Sequence, residues 1–168
     1  MDKNLYILAE LDNETQLLLK NYEKIILENG FIGKQTKDIP YHITLASYSM
    51  ENENYLNILL DKIENKFREI SISYSGFGLF GLNVLFLNPN MNLELIELYN
   101  FVKEKSYNKD SDLSAHTTLF IDEPENIMEI LPKFVENSSK INGKIKHISL
   151  YEFFPKKLIK RIELKGNK

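Results

Sequence analysis

The tetrapeptide His-Ile-Thr-Leu at positions 42–45 returns as His-Thr-Thr-Leu at 116–119. Both copies lie in runs of strand-favouring residues, "YHITLASY" and "AHTTLFI", whose β-branched and aromatic side chains suit a half-buried pleated surface. A strand points successive side chains to opposite faces. His42 and Thr44 therefore share one face, with Ile43 and Leu45 on the other. His116 and Thr118 pair in the same sense, against Thr117 and Leu119. Each strand offers an imidazole and a hydroxyl on one side and a packing surface on the other.

The two copies are 74 residues apart (116 less 42), and the same shift relates the segments around them. The helix expected over 53–67 has Leu56, Leu59, Leu60, Ile63 and Phe67 on one face. Its start near Glu53 maps to Ile127, inside a helix expected from Pro124 to about Asn137. The strand at Ser71 maps to Ile145, inside another expected strand. Ahead of the motifs, a strand over 3–11 and the helix after it correspond to a strand over 83–88 and a helix over 92–106. Each half reads strand, helix, motif strand, helix, strand, and a last strand over 158–164 is extra. No linker-like stretch separates the halves. The expected fold is one α+β domain over 1–168. The repeat points to one compact, two-lobed body.

Finer details are also expected. Asn13 and Gln16 resemble a capping pair for the first helix, Leu17, Leu18, Ile25 and Ile26 form its apolar stripe, and Gly30 stops it. Residues 31–40 form a loop. Two strands flank a glycine-rich connection within 69–89, and a turn at Pro155 joins the last two strands. Pro132 should kink or split its helix, because proline lacks the N–H that a helix interior uses.

Composition narrows the function. A chain of 168 residues that is 43% apolar can bury a real core. A net charge of -3 argues against binding long nucleic acid by bulk electrostatics, yet leaves room for a small anion held by local donors. The lack of cysteine rules out disulfides, thiolate nucleophiles and cysteine zinc sites. The start "MDKNLYILAELDNE" is broken by Glu10 and Asp12 and is not a signal peptide, and no run reaches transmembrane length. A soluble, cytoplasmic monomer without a membrane partner is expected.

A two-fold relation between the halves would face the two motif strands across a groove. Two imidazoles and two hydroxyls then suit phosphodiester cleavage without a metal or cofactor. One neutral histidine takes a proton from the attacking oxygen, and the other, protonated, gives one to the leaving oxygen. The threonine hydroxyls donate to the non-bridging phosphoryl oxygens. His42 and His116 are the catalytic candidates, and Thr44 and Thr118 the phosphate-binding ones. Which histidine is the base stays open, since it depends on substrate polarity.

On these motifs the chain resembles the 2H phosphoesterases, including the LigT-like 2′-5′ RNA ligases and cyclic phosphodiesterases. "SGFGLFGLNVLFLNP" and "KIKHISLYEF" are similar to further stretches of that family. The resemblance implies a bilobal, pseudo-two-fold duplicated α+β fold, two antiparallel sheets with helices outside and the site in the central groove between the lobes. It also implies a small nucleotide or RNA-end substrate with a 2′,3′-cyclic phosphate or a 2′-5′ linkage. Two alternatives share the site: a hydrolase of cyclic oligonucleotide immune signals, and a nucleotide-binding module that does not cut. Ala115 stands where many relatives have proline, and Phe120 and Ile121 where a basic residue often follows.

Aromatic side chains could stack on a base. Tyr48 shares strand parity with His42 and Thr44 provided that the strand has no bulge. Tyr41, Phe80 and Tyr151 are further candidates, and each of the four is more consistent with core or rim packing. His147 lacks a matching threonine and reads as a structural, partly exposed strand residue. No histidine spacing here suggests a metal site. The basic run "PKKLIKRIELK" reads as a solvated strand face.

Overall fold

The computed structural model describes residues 2–166. In chain order the elements are β1 (Asn4–Leu11), α1 (Asn13–Glu28), β2 (His42–Ser49), α2 (Glu53–Lys66), β3 (Ile70–Phe80), β4 (Val84–Pro89), α3 (Leu93–Val102), β5 (Thr117–Ile121), α4 (Pro124–Glu136), β6 (Ile141–Phe153) and β7 (Lys157–Glu163). This is the expected α+β order, with each half contributing strand, helix, motif strand, helix and strand. All strand pairs are antiparallel.

The strands run β2-β1-β6-β3-β4-β5, with β7 on β6. The two expected sheets are thus two wings of one continuous sheet. The third strand of each half pairs with the first strand of the other half, β3 with β4 and β6 with β1. The starts of β3 and β6 pair with each other, Ile70 opposite Ile145 and Tyr74 opposite Ile141, and join the wings. β2 and β5 end the two wings, and they approach each other across the groove.

The helices cover the faces that bury Leu5, Ile7, Ala9, Ile43 and Leu45 on one wing and Leu85, Leu87 and Leu119 on the other. Tyr22 of α1 packs on Phe134 of α4, and Phe67 at the end of α2 packs on Phe101 of α3. Each fully buried core side chain, such as Leu5, Ile7, Ile43 or Leu85, stabilises the fold by roughly 1.5–3 kcal/mol.

Several local expectations are corrected. The cap of α1 is Asp12, whose carboxylate accepts from the Thr15 amide at 3.0 Å. Gln16 instead ties the loop before β2, donating to the Tyr41 carbonyl at 2.8 Å and accepting from the Tyr41 amide at 2.7 Å. The buried stripe of α1 is Thr15, Leu19, Tyr22 and Ile26; Leu17 is 65% exposed. That stripe follows the 3.6-residue period, whereas the adjacent Leu17–Leu18 pair does not. Gly30 does follow the helix in the left-handed region, at φ +81°. Pro132 does not split α4, which is continuous. It lies on the exposed face, where water can satisfy the carbonyl left without an amide.

Candidate active site

Both motifs contain a β-bulge at the same place. Ile7 pairs with Ala46 and Leu8 with Thr44, so Leu45 is the extra residue on β2. Leu85 pairs with Phe120 and Phe86 with Thr118, so Leu119 is the extra residue on β5. A bulge reverses the facing of everything beyond it. Leu45 and Ala46 are consequently both buried, as are Leu119 and Phe120. The leucine that ends each motif is the bulged residue. It lets His-x-Thr face the groove while the rest of the strand turns its side chains into the core.

The two histidines are held in the same way. Nδ1 of His42 lies 2.8 Å from the Pro40 carbonyl oxygen, and Nδ1 of His116 lies 2.8 Å from the Ser114 carbonyl oxygen. A carbonyl only accepts, so each Nδ1 carries the proton and donates. The unprotonated nitrogen of each neutral ring is then Nε2, the atom left for chemistry. His42 opens β2, whereas His116 stands just ahead of β5.

His42, Thr44 and Thr118 line one cleft of about 710 Å³, within the usual range for small-molecule sites. His116 is close enough for its charge to act on His42. Burial pushes the His42 imidazole down from its ordinary pKa. The Pro40 carbonyl and the Glu10 carboxylate oppose that shift, and His116 adds to it. Phe80 packs edge-on against His116 with ring centres 4.7 Å apart, and Phe86 sits 5.3 Å away. Phe80 is 41% exposed and covers one side of the second histidine; neither it nor His116 is among the residues that line the cleft.

Other aromatic candidates fall elsewhere. Tyr48 is fully buried and its hydroxyl donates to the Val102 carbonyl; the bulge at Leu45 has turned it away from His42. Tyr151 is buried and stacks on Phe153. Tyr41 is half-buried and lines the cleft. His147 is half-buried, and its Nδ1 has no hydrogen-bond partner among the described residues.

Sequence reasoning missed three contributors. Glu10 is fully buried, lies opposite His42 on β1, and accepts from Ser149 Oγ and Arg161 Nε, each at 2.7 Å. Its signal was a lone carboxylate in the apolar run "YILAEL". Arg161 lines the cleft, although its basic run read as a solvated face; the neighbouring Lys160 points to the other face, where it donates to Asp61 and to the Asn57 carbonyl of α2. The loop over 31–41 closes one side of the cleft. Gln35 accepts from the Ile121 amide at 3.2 Å, and the Lys34 amide donates to the Ile121 carbonyl at 2.6 Å, so the loop bridges the halves.

No protein-family model and no curated protein matches the chain in sequence. Solved structures do match in three dimensions. E. coli LigT, in its complex with NADP+, superposes with a TM-score of 0.62 at 18% identity, covering 98% of this chain and 99% of that one. The chain has the LigT fold. The ATP complex of LigT gives a TM-score of 0.64 at 18% identity over 96% and 97% of the two chains. The protein TT0787 of Thermus thermophilus gives 0.68 at 12% identity over 98% and 100%. These matches span both halves, so the LigT fold accounts for the whole arrangement of wings and helices. Among the described residues no helix is long and apolar enough to cross a membrane.

Proposed function

We propose that this protein is a 2H-type phosphodiesterase that cleaves small nucleotides or RNA ends carrying a 2′,3′-cyclic phosphate or a 2′-5′ linkage. The observation that carries the reading is the matched pair of clamps, Nδ1 of His42 on Pro40 and Nδ1 of His116 on Ser114, each with a threonine two residues on. The shared fold and the crystallised complexes of E. coli LigT with 3′-AMP, ATP and NADP+ support a nucleotide ligand.

The mechanism follows from the clamps. Nε2 of the neutral histidine accepts the proton of the attacking water or hydroxyl. The P–O bond to the leaving oxygen breaks as the new one forms, and Nε2–H of the protonated histidine delivers a proton to that oxygen. Burial favours the neutral form of His42, which suits it to the accepting role, with His116 as donor. The hydroxyls of Thr44 and Thr118 donate to the two non-bridging oxygens as their charge grows. No step requires a metal.

The test is mass spectrometry of a substrate panel in EDTA: 2′,3′-cyclic nucleotides, 2′-5′ oligoadenylate, 3′-5′ cyclic mononucleotides and cyclic oligonucleotides. His42→Ala and His116→Ala run beside the parent. Metal-free cleavage should fall by roughly 10²- to 10⁴-fold in each variant. Cleavage that survives both substitutions would overturn the assignment, and an intact panel would favour a binding module.

A further inference from the structure

The buried carboxylate of Glu10 has no role in the proton transfers above, yet it is elaborately held. It is 0% exposed and takes hydrogen bonds from Ser149 Oγ and Arg161 Nε. An ion buried this deeply is costly to desolvate, and an apolar residue of similar size often stabilises a fold as well or better. Its partner Arg161 is unlike it: the arginine side chain is 42% exposed and lines the same cleft as His42, Thr44 and Thr118. Glu10 engages Nε, the side of the guanidinium. The two Nη groups at its end have no partner among the described residues.

Placement completes the picture. Arg161 reaches from β7 over β6 to Glu10 on β1, and Glu10 faces His42 on the next strand. Strands are spaced by about 5 Å. The guanidinium fork therefore stands roughly one strand to the side of the column that holds His42 and Thr44. A fixed, planar fork of donors is the geometry that recognises a phosphate, and a buried carboxylate behind it fixes the pose in advance.

We infer that Arg161, aimed by Glu10 and Ser149, is a second anion-binding group of the cleft and selects substrates that carry another phosphate beside the scissile one. The inference rests on the phosphodiesterase reading and narrows it. The preferred substrates are oligonucleotide linkages or phosphorylated nucleotides, and a bare cyclic mononucleotide is the poorer one.

Binding tests this without turnover. The affinities of 3′-AMP and adenosine 3′,5′-bisphosphate, which differ by one phosphate, are measured by calorimetry on the parent, Arg161→Gln, Arg161→Lys and the double variant Glu10→Gln/Arg161→Gln. The double variant removes both charges and so leaves no orphaned buried carboxylate to unfold the chain. The parent should prefer the bisphosphate by about tenfold, as expected for a charge-assisted contact. The preference should vanish in both glutamine variants and persist in part with lysine. An equal loss for both ligands, an unchanged preference in the glutamine variants, or no preference in the parent would overturn the inference. Failure of the phosphodiesterase reading would show instead in the turnover panel, with the binding preference intact.

Discussion

Glu10 stands directly opposite His42 across the β1–β2 pair, a buried carboxylate beside a half-buried imidazole. Its charge favours the protonated ring, while burial favours the neutral one and prevails. As the proposed base, His42 works only when deprotonated, so activity should fall as pH drops through its pKa. The acidic limb of kcat/KM should therefore lie below the ordinary histidine value of about 6.5. Glu10→Gln removes a contribution that raises this pKa, and the limb should move to still lower pH. A pH–rate profile of the two proteins checks this; a limb that moves upward would contradict the assignment of His42 as base.

Thr44 and Thr118 each present one hydroxyl to the cleft. Thr44→Val and Thr118→Val keep the shape and delete the donor. On the proposed reading each should lower kcat by roughly 10- to 10²-fold, less than loss of a histidine, because the other threonine would still bind the phosphoryl group. Steady-state kinetics decide, and a rise in KM with kcat unchanged would mean that the hydroxyls bind ground state and transition state equally.

Gly78 faces Phe86 across β3 and β4, and a Cβ on it would lie 2.4 Å from the Phe86 ring. Phe86 in turn packs against His116. Gly78→Ala must push the ring aside, costing about 1–3 kcal/mol of stability and disturbing the second histidine. Thermal unfolding should show the first effect and reduced kcat the second.

Tyr48→Phe removes a hydroxyl that donates to the Val102 carbonyl, far from the cleft face of β2. It should cost about 1 kcal/mol of stability and leave kcat/KM within twofold of the parent. Denaturant unfolding beside kinetics separates these outcomes.

The repeat, the element order and the facing of His-x-Thr were legible because they follow from strand parity and spacing alone. Tyr48 was misplaced because a bulge at Leu45 breaks that parity, and a bulge depends on the partner strand β1. Asp12 rather than Asn13 caps α1, a shift of one residue that only the amide geometry decides. Arg161 was hidden because its neighbours Lys156, Lys157 and Lys160 made the run look uniformly solvated. What singles it out is Glu10, 151 residues away in sequence.

The exchange of third strands has a consequence for how the molecule can come apart. β6 completes the wing begun by β1, and β3 completes the wing begun by β4. Neither half encodes a closed sheet by itself. The chain is in effect a domain-swapped dimer whose two copies are covalently joined, and severing it between β3 and β4 would leave two fragments that each lack an edge partner. The two motif histidines, one from each copy, are thus brought together by the same pairing that makes the chain fold.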